Sequence, residues 1–74
     1  MKITILFFAS LKEIVGTSES VYDLEPGTTP EQAATRILGF HTNIVYAIND
    51  NLANKDATLQ DGDRLAFIPP MAGG

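Results

Sequence analysis

Two apolar runs stand at opposite ends of this chain: Lys-Ile-Thr-Ile-Leu-Phe-Phe at residues 2 to 8 and Arg-Leu-Ala-Phe-Ile at residues 64 to 68. Both are rich in β-branched and aromatic residues and read as strands. With 74 residues there is room for one domain. A mixed sheet that takes in both ends fits this pattern. Ile3, Ile5 and Phe7 fall on one face of the first strand, and Thr4, Leu6 and Phe8 on the other. In the last strand Leu65 and Phe67 oppose Ala66 and Ile68. Pro69-Pro70 then ends the pairing, because proline has no N–H to donate, and starts a stiff extended stem.

Between the two runs the pattern changes. Ser10-Leu11-Lys12-Glu13 has the letters of a capping box, with Ser10 as N-cap, Glu13 at N3 and Leu11, Ile14 and Val15 on one face of a short helix. Gly16 suits its C′ position. Val21 to Leu24 reads as a second strand, closed by the Pro26-Gly27 turn. Thr29-Pro30-Glu31-Gln32 opens a second helix, with Thr29 as N-cap and Pro30 at N1. Ala33, Ala34, Ile37 and Leu38 give it an apolar stripe, and Gly39 stops it. About ten residues of helix are marginal alone and must pack on a sheet. Ile44 to Ile48 is a third strand, Asn49-Asp50-Asn51 a turn, Leu52-Ala53 a short return strand, and Asp61-Gly62-Asp63 a sharp turn before the last strand. The expected fold is α+β: a β-grasp (ubiquitin-like) domain over residues 1–70, a mixed sheet with one main helix on one face and the first and last strands paired at its centre. Residues 71–74 are expected to project from it as a flexible tail.

Composition narrows the chemistry. The net charge of −4 disfavours nucleic acid and anionic membrane surfaces as partners. The absence of cysteine excludes disulfides, thiolate metal sites and cysteine nucleophiles. No apolar stretch approaches the ~18–20 residues of a membrane span, and no secretory signal is visible, so a cytoplasmic protein is expected. His41, the single histidine, follows the second helix and reads as a loop residue. Asp61 and Asp63 flank a turn glycine, which suits turn geometry better than a metal site. No phosphate-binding loop or nucleophile elbow occurs.

What remains is the carboxyl end, Met71-Ala72-Gly73-Gly74. Two residues without side chains make a thin thread able to enter a narrow tunnel, and Met71 to Gly74 spans roughly 13 Å when extended. A terminal carboxylate is ionised at neutral pH and a poor electrophile; acyl-adenylation by ATP is the obvious activation. The chemistry would then sit on the main chain of Gly74, with Gly73, Ala72 and Met71 as the thread. Leu6, Phe8, Ala66 and Ile68 would merge on adjacent central strands into an apolar patch of the kind that marks a partner site. Leu52 extends that patch, and Pro69 and Pro70 carry it to the tail.

These residues resemble the small subunit of molybdopterin synthase, a ubiquitin-like sulfur carrier. The likeness runs through Leu6-Phe7-Phe8-Ala9, Lys12-Glu13, Gly16, Ala47-Ile48-Asn49, Leu59, Asp61-Gly62-Asp63, Ala66-Phe67-Ile68-Pro69-Pro70 and Gly73-Gly74, and so spans nearly the whole chain. The resemblance implies that an E1-like adenylyltransferase uses Mg-ATP to adenylate Gly74, that a persulfide donor supplies sulfur to make a thiocarboxylate, and that the sulfur passes to cyclic pyranopterin monophosphate within the large synthase subunit. It also implies a heterotetrameric synthase, no cofactor bound by this chain, and catalytic side chains on the large subunit. Ile68 departs from the pattern, where relatives often carry a second aromatic. Three other readings stay open: a thiamine-pathway sulfur carrier, a protein modifier joined to lysines through Gly74, and an interaction module with an inert tail.

Overall fold

A computed structural model of the chain describes residues 1–70. Its elements in order are β1 (Lys2–Phe7), α1 (Ser10–Val15), β2 (Glu19–Asp23), α2 (Pro30–Leu38), β3 (Val45–Ile48), β4 (Asn51–Ala53) and β5 (Arg64–Ile68). The strands form one sheet in the order β2-β1-β5-β3-β4. β1 and β5 pair in parallel at its centre, with Ile5 opposite Leu65 and Phe7 opposite Phe67. The other pairings, β1 with β2, β5 with β3 and β3 with β4, are antiparallel. This is the expected β-grasp arrangement, with two helices.

The core lies on one face of the sheet. Ile3, Ile5, Phe7, Leu65, Phe67 and Tyr46 project into it and meet Leu11 of α1, Ala33 and Ala34 of α2, and Leu24 and Leu59 from loops. The buried side of α2 is made of small residues, Pro30, Ala33 and Ala34. Phe67 is the hub: its ring meets Phe7 at 6.0 Å and Tyr46 at 5.9 Å, both edge to face, a geometry favoured by the ring quadrupoles.

α2 begins as its sequence requires. Thr29 Oγ1 accepts from the Gln32 N–H and Gln32 Oε1 accepts from the Thr29 N–H, each at 3.1 Å, so two donors at the helix start are satisfied reciprocally. Gly39 ends the helix at φ 86 and donates its N–H to the Thr35 carbonyl. α1 departs from expectation. Its N-cap is Ala9, not Ser10, and no side chain caps it. The helix starts one residue early because the chain must reverse immediately after Phe7 for Leu11 to reach the core. Leu11 is buried and Val15 half-buried, but Ile14 points to solvent, so the expected three-residue apolar face is incomplete. β2 also starts earlier than its sequence suggests, because Glu19 pairs with Leu6; Leu24 lies beyond the strand and is buried in the core.

The end of the sheet away from Pro69 is held by polar side chains acting on backbone. Asp61 Oδ1 accepts from the Lys2 N–H at 2.6 Å and Asp63 Oδ2 from the Gln60 N–H at 2.8 Å. The two aspartates thus serve turn geometry, as expected. Among the described residues no helix is long and apolar enough to cross a membrane.

Candidate functional site

The opposite face of the sheet is covered by neither helix. Strand register fixes what it displays. Glu19 pairs with Leu6, Leu6 with Ala66, Ala66 with Ala47 and Ala47 with Leu52, so one row crosses all five strands. Ile68 and Val45 pair in the next row, towards Pro69-Pro70, and Phe8 follows Phe7 at the end of β1. Phe8 is 47% exposed, Val45 44% and Leu52 81%. Leu6, Ile68 and Pro69 are half-buried and Pro70 is exposed. The patch therefore lies beside the point where β5 hands over to its proline stem.

Ala66, read from the sequence as part of this patch, is only 6% exposed. As the middle residue of the middle strand, it sits between Leu6 and Ala47. It makes the floor of the patch, and its small side chain keeps that floor low. Val45 and Ala47 belong to the same face and were not singled out from the sequence. The signal was present in the alternation of Val45, Tyr46 and Ala47, which puts Val45 and Ala47 opposite the core residue Tyr46.

The other half of the face is mostly polar, with Val21, 61% exposed and paired with Thr4, as its apolar exception, and its charges are internally neutralised. Lys2 Nζ stands 3.3 Å from Asp23 Oδ2, and Arg64 Nη2 stands 3.9 Å from Glu19 Oε1. The Lys2 ammonium, together with the amino terminus, holds the Asp23 carboxyl below its ordinary range. These pairs are exposed and contribute little to stability. They leave the polar half without excess charge beside the apolar half.

No conventional reaction centre accompanies this face. Among the described residues no group of histidines and acids could hold a metal ion. His41 is a loop residue whose Nδ1 lies 2.9 Å from Thr35 Oγ1, with Glu31 3.9 Å from its other nitrogen. Tyr46 is buried in the core with no partner for its hydroxyl; burial, then the nearby Glu31 carboxylate, push its ionisation upward. The expected reactive group Gly74 and the thread Gly73, Ala72 and Met71 lie outside the described residues.

The sequence matches the family model described as "ThiS family" over residues 5–74. It is 33% identical to the molybdopterin synthase sulfur carrier subunit of Chlamydomonas reinhardtii, with 100% of each chain covered. It is 31% identical to the subunit of that name from Escherichia coli, over 97% of this chain and 99% of the relative. Among solved structures, subunits 1 and 2 of molybdopterin-converting factor from Helicobacter pylori form a complex in which the matching chain superposes with a TM-score of 0.65 at 20% identity, both chains being covered over 100%. SAMP1 from Haloferax volcanii superposes with a TM-score of 0.80 at 24% identity, again over 100% of both chains.

Proposed function

The chain belongs to the ThiS family, and from that membership we propose that it is the sulfur-carrying small subunit of a molybdopterin synthase. The observation that carries the proposal is the apolar row from Leu6 through Ala66 and Ala47 to Leu52, which crosses β5, the strand that leads to the tail. A partner seated on Phe8, Val45, Leu52 and Ile68 would find Pro69-Pro70 at the edge of its footprint and the tail directed onward from there. The full-length likeness to sulfur carrier subunits supports the same reading.

The chemistry proposed for Gly74 is main-chain chemistry. Its carboxylate oxygen attacks the α-phosphorus of ATP on an E1-like activating enzyme, giving the acyl-adenylate and releasing pyrophosphate. A persulfide sulfur then displaces AMP. Cleavage of the resulting S–S bond by a thiol leaves the thiocarboxylate on Gly74 and a disulfide on the donor side. Within the large subunit this sulfur passes to cyclic pyranopterin monophosphate, and water restores the carboxylate. Two sulfurs per dithiolene require two charged carriers. The chain itself binds no cofactor in this scheme; Mg-ATP belongs to the activating enzyme and the catalytic side chains to the large subunit. Glycine suits the terminal positions because no Cβ crowds the carbonyl.

The test is direct. The protein is incubated with the activating enzyme, Mg-ATP and a sulfur source, and its intact mass is taken. Exchange of oxygen for sulfur adds about 16 Da, and because methionine oxidation adds the same nominal mass, fragment ions must place the change on Gly74. No sulfur on Gly74, under conditions that charge a known carrier, rejects the proposal. A second reading, a modifier joined through Gly74 to lysine amines, draws on the name of the fold relative SAMP1 from Haloferax volcanii, small archaeal modifier protein 1. Conjugates of higher mass that vanish on deleting Gly73-Gly74 would favour it.

A further inference from the structure

Four described residues other than glycine have positive φ: Ala9, Asn43, Asn49 and Asp50. Asparagine and aspartate tolerate that conformation; alanine does not. Ala9 is also the most distorted in kind. Its φ of 49° and ψ of −127° lie away from the left-handed helical region and within territory that glycine occupies. The turn it makes is tight: the Leu11 N–H donates to the Phe8 carbonyl at 3.0 Å, a reverse turn whose first central position favours glycine.

The turn joins two core residues to one docking residue. Phe7 and Leu11 are both buried, and the chain has three residues in which to bring the second back under the sheet. Phe8 is held from both sides in that interval. Its N–H donates to the Phe67 carbonyl at 3.2 Å, and its own carbonyl accepts from Leu11. Its side chain is left on the open face, half exposed. Glycine at position 9 would satisfy the same geometry without strain but would let the turn move. Alanine strains it and stiffens it.

We propose that Ala9 is a positioning residue for docking: the strained turn fixes Phe8 on the open face in the orientation a partner meets, at the expense of folding stability. Strain retained beside a binding surface is the expected form of such a device, and pre-ordering of a contact residue removes an entropic cost of association. The inference rests on the docking reading above and adds to it a residue that acts through its neighbour Phe8.

Two variants separate strain from stiffness. Ala9→Gly relieves both. Ala9→D-alanine, accessible by chemical ligation in a chain this short, relieves the strain and keeps the stiffness, because the mirror-image residue prefers these angles. Binding is measured by calorimetry against the large subunit of molybdopterin synthase. Stability is measured by thermal melting, and the Phe8–Leu11 hydrogen bond by amide exchange at Leu11. Ala9→Gly is expected to melt higher, exchange faster at Leu11 and bind roughly tenfold more weakly, the cost of re-ordering one freed residue. Ala9→D-alanine is expected to melt higher, exchange slowly and bind as tightly as the parent. Parent-like affinity in Ala9→Gly, a lower melting point in Ala9→Gly, or weakened binding in Ala9→D-alanine each overturns the proposal. Phe8→Ala tests the docking reading separately: if it binds as the parent does, the face and not the turn has been misassigned.

Discussion

Asn49 holds Arg64 by both of its backbone polar groups. The Asn49 N–H donates to the Arg64 carbonyl at 2.8 Å, and Asn49 Oδ1 accepts from the Arg64 N–H at 3.0 Å. Its Nδ2 reaches on to Asp63 Oδ1 at 3.0 Å. One side chain thereby ties the β3–β4 hairpin to the start of β5. Asn49 also stands first in that two-residue hairpin loop, at φ 51, with Asp50 at φ 72, the left-handed pair that a tight hairpin demands.

Asn49→Ala removes two side-chain hydrogen bonds and strains the loop, and is expected to cost about 2–3 kcal/mol. Asn49→Gly keeps the loop conformation and loses only the hydrogen bonds, so about 1–2 kcal/mol is expected. Urea denaturation of the two variants checks the order. Equal losses would mean that the left-handed backbone angle costs alanine nothing over glycine and that the lost hydrogen bonds account for both.

The Tyr46 hydroxyl is buried without a partner, so Tyr46→Phe is expected to leave stability at neutral pH unchanged or to raise it by about 1 kcal/mol. Its pH dependence has a definite sign. Burial and Glu31 raise the folded-state ionisation above the ordinary value of 10.0. Folding therefore favours the protonated phenol, a contribution fully present below that value and lost as pH rises through the folded-state value. Melting temperatures between pH 9 and 11 should fall more steeply in the parent than in Tyr46→Phe.

Some of this was legible from sequence and some was not, for physical reasons. Thr29-Pro30-Glu31-Gln32 and Ser10-Leu11-Lys12-Glu13 carry the same kind of signal, yet only the first forms its box. A cap is a local device, and it holds where the chain enters the helix freely, as at Thr29. At Ser10 the entry is dictated from outside, by the need to return Leu11 to the core within three residues of Phe8. Alternation likewise told which face Ala66 belongs to but not how deep it lies. Depth comes from neighbours on β1 and β3 that are far away in sequence. The core faces of β1 and β5 were legible because both strands alternate cleanly against a single covered face. Val45 was missed because its short strand shows only one turn of that alternation.

Docking should respond to charge placed on the open face according to depth. Phe8→Asp and Leu52→Asp put a carboxylate where solvent reaches it, so they should fold normally and lose roughly 2 kcal/mol or more of partner binding, beyond a thirtyfold loss of affinity. Ala66→Asp buries the charge between Leu6 and Ala47 and is expected to destabilise the fold by several kcal/mol. Circular dichroism and calorimetry with the large subunit distinguish the two outcomes.

Binding through this face should also be nearly indifferent to salt. The charges on its polar half are already matched, Lys2 to Asp23 and Arg64 to Glu19, and the rest is apolar. Affinities measured between 50 and 500 mM salt, where the screening length shrinks from about 14 Å to about 4 Å, are expected to vary by less than roughly threefold. A steep decline would mean that the partner opens these pairs and uses them itself.

The parallel pairing of β1 with β5 makes the first strand wait for the last. Until Arg64 to Ile68 have been synthesised, Ile3, Ile5 and Phe7 have no central neighbour, and the non-local closure that joins them comes late in folding. The same register puts the stem of Pro69 and Pro70 directly after the strand that completes the sheet. A chain that stops short of Ile68 therefore lacks both its tail and the middle of its fold. Under the proposed function, only a finished domain could offer a terminus for activation, and an incomplete one would take no sulfur out of circulation.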